Sequence, residues 1–396
     1  MESTLPLAKH LSSSGIDVDL FSLLPYKNQN AFVYDFSSNP QPVGFIDKKN
    51  IAKTFGKKLL DYLSGININV FIFPDRKLQK LFFKDLYYAY KLSQKIKKGN
   101  YDLVHIIHTS PRFWFLLYFF LDKKKVVQTL HEVISHEGQT SLSSKWILKL
   151  LIKNSTPIIF HSDISRQRFV DFRNTVSNKE VKSDHLAMIR FGLFETYYCF
   201  SSDGDNKKIS DTINIVNFGR IVPSKGIHFL LDAVKILQKK YPIHVTIAGR
   251  GEPYFDFKGI NSYDFINRFI SNEEIVSLIE ESDMVVMPYT SASQSGIPMT
   301  AYAFNKPIVA TNIAGLKEVI DDSKTGIIVN NLNAENLATA METLIIDPHL
   351  KEKMSTNIKE KYSVGEFSWP FIAAETISFY KKHLNWQDEK EEKFQE

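Results

Sequence analysis

Along the second half of the chain, apolar positions alternate between two periods. Ile213–Phe218 is a short apolar run that stops at Gly219, and the pattern predicts a buried strand. Ile227–Lys239 places Leu230, Leu231, Val234 and Leu237 on one helical face, and Tyr241-Pro242 ends it. The same reading gives strands at His244–Ala248, Met284–Pro288, Pro307–Thr311 and Thr325–Val329. Helices are expected at Glu273–Glu281, Pro298–Phe304 and Ala334–Ile345. Strand and helix in regular succession imply a parallel sheet covered on both faces, an α/β fold.

The first half alternates less cleanly. Strands are expected at Asp17–Leu24, Leu103–Ile107, Lys125–Leu130, Pro157–Phe160 and Met188–Arg190. Leu78–Lys98 reads as a long basic helix, and Phe113–Leu121 as a buried one too short to span a membrane. Several strands end on a polar residue: His108, His131 and His161. Open α/β sheets bind ligands at the carboxyl ends of their strands. Glu2–Ser13 reads as a helix running straight into the first strand. A doubly wound domain begins with a strand and a glycine-rich turn before that helix. Either the start codon is assigned too late or the domain lacks the element, and the first is expected.

Length allows two domains. The boundary is expected in the polar, turn-rich segment Ser201–Thr212. That gives an N-terminal domain over 1–200, a linker over 201–212 and a second domain over 213–370. Residues 371–396 form a helix, around Phe371–Leu384, that returns to the first domain, followed by a charged tail. Charge divides with the domains. Residues 1–200 hold 28 Lys and Arg against 17 Asp and Glu, a balance of +11; the remaining 21 against 27 give −6, which sum to the net +5. Different partners for the two halves follow. The single cysteine, Cys199, cannot form an internal disulfide, and it fits a reducing cytosol as a packing residue. No secretory signal and no metal-ligand spacing is visible, and no nucleic-acid partner is expected.

Three turns carry candidate chemistry. The first is Gly219-Arg220-Ile221-Val222-Pro223-Ser224-Lys225-Gly226, between a strand and a helix. Such a turn aims backbone N–H groups and a helix's positive end at one spot. Arg220 and Lys225 add two cations, a sensible clamp for a diphosphate. The plainer alternative is a surface turn with two solvated charges. The second is Ala248-Gly249-Arg250-Gly251-Glu252, where glycines let a ligand approach the backbone; alone, it is simply a tight turn. The third is Ser293-Gln294-Ser295-Gly296-Ile297-Pro298-Met299-Thr300, small residues leading into a helix. Three such turns after parallel strands would line one edge of a sheet.

These motifs, in this order, resemble the retaining family-4-type glycosyltransferases (glycosyl transferases group 1). The likeness runs through the helix entry at Ser271–Ile279, the strand entry Ser282-Asp283-Met284, and Ala301, Ala303, Lys306 and Pro307. It continues through Ala310–Glu318 and Thr325-Gly326. The resemblance implies a GT-B fold: two Rossmann-like domains with parallel sheets facing a central cleft. It implies transfer of a sugar from a UDP- or GDP-linked donor to a sugar or glycan hydroxyl, with retention and without metal or other cofactor. By the same resemblance, Gly219, Arg220 and Lys225 would bind the diphosphate. Backbone at Arg250, Gly251, Phe269 and Ile270 would hold the base. The N–H groups of Gly296, Ile297, Pro298's neighbours and Met299 would meet phosphate or sugar.

The family carries two glutamates flanking the third turn; here those positions are Ala292 and Thr300. Thr300 offers a weaker hydroxyl contact to a ribose, and Gln294 or Ser295 could bond the sugar instead. In the first half, the resemblance makes His131 the candidate catalytic residue, able to bond the sugar or share a proton. The alternative is a structural histidine at a strand end. His108, His136, His161, Glu132 and Glu137 are weaker candidates, and Ser162 reads as a helix N-cap. Lys77–Lys98 and Ser144–Lys153 mix lysine with Leu, Ile, Phe and Trp146, which suits an anionic membrane surface as well as an ordinary amphipathic helix. A lipid-linked acceptor would put the protein at the inner face of a membrane. Two other classes fit the altered acids: a non-catalytic protein that binds nucleotide or a partner enzyme, and a sugar-nucleotide epimerase. Oligomeric state is left open.

Overall fold

The computed structural model describes residues 2–27, 29–36, 38–74, 82–107, 117–131, 142–176, 185–201, 211–291 and 295–384. The chain divides into two units, Met1–Phe191 with Trp369–Glu396, and Gly192–Ser368.

Unit 1 opens with helix α1 (Thr4–Ser13), which buries Leu5, Leu7, Ala8 and Leu11. Strand β1 (Asp19–Pro25) pairs in parallel with β2 (Asn67–Phe73), and the short strand Gly44–Phe45 adds to β2 antiparallel. A second sheet runs β3 (Val104–Ile106), β4 (Val126–Leu130), β5 (Ile158–Phe160) and β6 (Leu186–Met188), all parallel and in chain order. Successive residues of a strand face opposite ways, and that sorts the core into two layers. Phe71, Ile106, Val126, Ile158 and Phe160 pack with α2 (Phe82–Lys98) and α3 (Leu142–Lys153). Val127, Ile159 and Ile189 face the other way, against α1 and the C-terminal helix Trp369–Leu384. Helix α4 (Asp163–Val176) follows β5 and is capped by Ser162, whose Oγ accepts from Ser165 N at 3.1 Å.

Unit 2 is one six-stranded parallel sheet. Its strands are β7 (Ile213–Phe218), β8 (Ile243–Gly249), β9 (Tyr263–Asn267), β10 (Met284–Met287), β11 (Ile308–Thr311) and β12 (Gly326–Val329). They lie in the order β9-β8-β7-β10-β11-β12. The chain therefore winds outward from β7 in one direction and, after β9, in the other. That is the doubly wound order of a Rossmann-like domain, with its switch point between β7 and β10. Helices α5 (Ile227–Leu237), α6 (Asn272–Glu281), α7 (Ile297–Ala303), α8 (Ala334–Ile346) and α9 (Pro348–Ser363) connect and cover it. Leu230, Leu231, Val234 and Leu237 of α5 are buried against Val245, Ile247 and Val286 of the sheet and Leu337 and Met341 of α8.

The sequence missed β2, β9 and α9. Asn67 and Asn69 interrupt the apolar pattern of β2, and β9 is an edge strand with Tyr263 and Asp264 exposed. Of Phe113–Leu121, residues 117–120 are helical with Leu117 and Tyr118 buried, and the stretch before them lies outside the described residues. The division between the units also falls before Ser201–Thr212. The turn Glu195–Phe200 packs on α6 and α7, and Ser201 Oγ donates to Glu280 at 2.5 Å, so this segment belongs to unit 2. Most of the expected linker, and the tail from residue 385, lie outside the described residues. Among the described residues no helix is long and apolar enough to cross a membrane.

Candidate functional site

The site begins with the glycines that end β7 and β8. Gly219 has φ +120° and Gly249 φ +154°, and a Cβ on Gly249 would lie 1.6 Å from the Gly219 carbonyl oxygen. Only glycine lets the two strand ends come this close. The contact continues beyond the sheet: Gly219 N bonds Ala248 O at 2.9 Å, and Ile221 N bonds Arg250 O at 3.0 Å. A Cβ on Gly251 would meet the Ile221 carbonyl at 2.0 Å. The first and second turns are thus laced together along their backbones.

The first turn is equally tied to β10. Gly226 sits in the left-handed region at φ +61°, and a Cβ there would lie 1.9 Å from the Pro288 carbonyl oxygen. Thr290 N bonds Ser224 O at 3.0 Å. The third turn joins through Ile297, whose Cδ1 would lie 3.1 Å from a Cβ on Gly219. All three turns therefore meet at the carboxyl edge of the sheet, on either side of the switch point. The sequence alone suggested that they could.

Lys225 is the central cation. Its Nζ lies 3.5 Å from the centroid of the buried Tyr289 ring, a close cation–π contact. Burial, with a smaller push from Arg220, lowers its pKa from 10.5 to about 8. Arg220 and Arg250 are exposed. Tyr289 was not foreseen. Its one sequence signal is an aromatic ring directly after the strand-ending Pro288. Asn267, also unforeseen, ends β9. Its side chain bonds both the N–H and the carbonyl of Gly251, at 3.2 and 3.1 Å. Phe269 is exposed and Ile270 buried, just before the capping box of α6, where Ser271 Oγ accepts from Glu274 N and the Glu274 carboxylate from Ser271 N.

At the third turn, Ser295 and Gly296 are half-buried, and Ala292 and Gln294 lie outside the described residues. Pro298 and Met299 are buried in α7, and Met299 O accepts from Phe194 N at 3.3 Å. Thr300 is 3% exposed, and its hydroxyl turns back onto Gly296 O at 3.3 Å. That hydroxyl is already committed within its own helix. Other residues of the resemblance have structural work. Lys306 Nζ bonds the carbonyls of Glu280 and Ser282 at 2.7 and 2.6 Å, closing the end of α6. Asp283 accepts from Asn214 N and from Lys351 Nζ. Thr325 Oγ1 accepts from the buried Tyr302 hydroxyl at 3.0 Å.

In unit 1, His131 follows β4. Its ring stacks on Phe191 at 5.7 Å, and Phe191 stacks on His161 at 4.0 Å. Ser165 Oγ donates to the His131 carbonyl at 2.9 Å, and His161 Nδ1 pairs with Ile189 O at 2.7 Å. His105 bridges Tyr380 Oη at 2.6 Å and Thr129 Oγ1 at 2.7 Å. Burial, then His161, lowers its pKa from 6.5 to about 3, so it stays neutral and joins the C-terminal helix to the sheet. His108, Glu132, His136 and Glu137 lie outside the described residues, and among those described no three His, Cys, Asp or Glu side chains cluster to hold a metal.

A doubly wound unit with cations at its switch point, in a chain whose other unit is also α/β with parallel strands, has the two Rossmann-like domains of the GT-B class. Comparison with known proteins agrees. The model of Glycosyltransferase Family 4 matches residues 3–181, and that of Glycosyl transferases group 1 matches residues 212–347. The chain belongs to the family-4-type, group 1 glycosyltransferases. It is 24% identical over 234 residues to the alpha-D-kanosaminyltransferase of Streptomyces kanamyceticus, covering 57% of this chain and 61% of that one. It is 31% identical over 189 residues to a D-inositol 3-phosphate glycosyltransferase of Paenarthrobacter aurescens, 44% of this chain and 45% of that one. The alignment thus spans less than two thirds of either relative. Among solved structures, a glycosyltransferase from Rickettsia africae superposes with a TM-score of 0.65 at 19% identity, covering 96% and 94% of the two chains. The Anabaena HepE protein, in complex with UDP and glucose, gives 0.63 at 17%, covering 95% of each.

Proposed function

We propose that this protein transfers a glycosyl group, with retention, from a UDP- or GDP-linked sugar to a hydroxyl of a sugar or glycan acceptor, in the biosynthesis of a glycan or polysaccharide. The observation that carries the reading is the meeting of Arg220, Lys225 and three backbone turns at the switch point of unit 2. A departing nucleoside diphosphate carries concentrated negative charge, and a preformed cationic site stabilises it as the glycosidic bond breaks. Lys225, partly desolvated and resting on a ring, regains full solvation of its charge from the phosphates. The Ile297 side chain reaches Gly219, and the N–H groups of Gly296, Ile297 and Met299 would meet the phosphates or the sugar. Gly251 and the Phe269–Ile270 backbone would hold the base, with Asn267 releasing or sharing its bonds to Gly251. His131 would bond the transferred sugar. With Ala292 and Thr300 at the positions of the family's acids, Gln294 and Ser295 are the remaining polar groups for sugar contacts. A lipid-linked acceptor would place this work in the cytoplasm, at the inner membrane face.

Incubation with a panel of UDP- and GDP-sugars and glycan acceptors tests this. Acceptor-dependent release of nucleoside diphosphate is expected, with the donor's anomeric configuration kept in the product. His131→Ala should lower turnover more than nucleotide affinity. Nucleotide binding without transfer or hydrolysis would make the chain a non-catalytic binder, and a new sugar nucleotide formed without acceptor would make it an epimerase.

The lowered pKa of Lys225 gives a second expectation. The charged ammonium binds the diphosphate, and above about pH 8 the free site holds mostly neutral amine. Affinity for UDP or GDP therefore falls as pH rises through that value, by up to about tenfold per unit. Tyr289 does not interfere, because burial raises its pKa above the usual tyrosine range. Calorimetry between about pH 7.5 and 9.5 should show this slope in the wild type and a flat profile in Lys225→Gln. Equal slopes in both would remove Lys225 from the site.

A further inference from the structure

In unit 1, one face of the sheets is covered by α2, residues 117–121 and α3. All three pack into the same core layer: Ala89, Leu92 and Ile96 from α2, Leu117, Tyr118 and Leu121, and Ile147, Leu148 and Leu151 from α3. They also touch one another. Tyr90 of α2 meets the Phe120 ring at 5.8 Å, and the Tyr118 hydroxyl bonds Thr156 Oγ1, just past α3, at 3.1 Å. Because all three cover one sheet face, their outer sides look away from it together.

That outer side has an unusual composition. Large aromatic rings stand in solvent: Tyr87 is 52% exposed, Tyr90 47%, Phe119 52% and Trp146 60%. Lysines are interleaved with them. Lys91 lies over the Tyr87 ring at 5.4 Å, Lys123 over Tyr118 at 5.6 Å, and Lys149 over Trp146 at 5.8 Å. Exposed lysines also fill the last turns of α2, and Lys145 and Lys153 flank Trp146 on α3. Acid does not balance them. The acidic side chains described on these elements are Asp85, which is buried, and Asp122, whose carboxylate accepts from the Lys124 backbone.

We infer that this face is a docking surface for an anionic lipid bilayer. Lysines attract acidic headgroups within a Debye length, and amphipathic rings favour the headgroup level, where one edge is apolar and the other wet. Long lysine stems let the rings approach the bilayer while the ammonium groups stay among the phosphates. A folded acidic partner would also answer the charge, but it would give the isolated rings no apolar layer to enter. The surface belongs to unit 1 and the donor turns to unit 2, so the inference stands apart from the nucleotide assignment.

Vesicle co-sedimentation of the full chain tests it, with pure phosphatidylcholine against phosphatidylcholine carrying about 30 mol% phosphatidylglycerol. We expect at least about tenfold more binding to the anionic vesicles, falling steeply above about 0.5 M salt. Lys145→Glu, Lys149→Glu and Lys153→Glu together should lower it about tenfold. Trp146→Ala with Phe119→Ala should lower it at constant charge. UDP affinity and far-UV circular dichroism should stay unchanged in both variants. Equal binding to neutral and anionic vesicles, no binding to either, or binding that both variants keep would overturn the assignment.

Discussion

Replacing Arg220 or Lys225 by alanine should weaken binding of UDP or GDP by about 1–3 kcal/mol each, the range for hydrogen bonds to charged groups. That is a loss between about fivefold and 150-fold in affinity. Lys225 should sit toward the upper end. Its ammonium is partly buried over Tyr289, so the phosphates meet a cation that water solvates poorly. Arg220 is exposed, and some of its contribution is screened by solvent and salt. Arg220 disfavours the charged form of Lys225, so Arg220→Ala leaves Lys225 more fully charged and the double variant should lose at least the sum. Isothermal titration with each nucleotide is the measurement. Unchanged affinity in both single variants would refute the clamp.

Gly226→Ala should be among the damaging single-methyl changes in unit 2. The backbone at +61° costs an L-residue roughly 1–2 kcal/mol, and the new Cβ would collide with the Pro288 carbonyl. We expect a total loss of about 2–4 kcal/mol in urea unfolding. Gly365→Ala is the internal control. It has a similar angle, φ +73°, but open space around the added carbon, so strain alone remains. Relief of the clash must shift Pro288 and with it Tyr289, the ring under Lys225. Nucleotide affinity should therefore fall in Gly226→Ala and hold in Gly365→Ala. Equal losses of stability in the two would show that β10 gives way freely.

The architecture of unit 2 was readable because two of its central strands end on glycines that must be there. Gly219 and Gly249 stop their strands where two backbones nearly touch, and short apolar runs mark the strands themselves. What escaped were contacts made across the sheet. Tyr289 looks like any core aromatic until β10 is set beside β7 and Lys225 is found above it. Asn267 stands on an edge strand whose polar face has no apolar pattern. The position of Thr300 was readable, but its commitment to Gly296 depends on side-chain rotation within a helix. The boundary was placed late for a similar reason. A polar segment marks where a chain is free of apolar packing, whereas the division of contacts depends on where Glu195–Phe200 lies down.

The hydrogen-bonded line from Tyr380 through His105 to Thr129 ties the last described helix into the sheet of unit 1. Unit 1 is thus built from both ends of the chain, and unit 2 from one unbroken stretch between them. On the ribosome this sets an order. Residues Gly192–Ser368 can complete their sheet as soon as they emerge. The layer of unit 1 holding Val127 and Ile159 must wait, partly uncovered, for Trp369 and Ile372, which emerge only after the whole of unit 2.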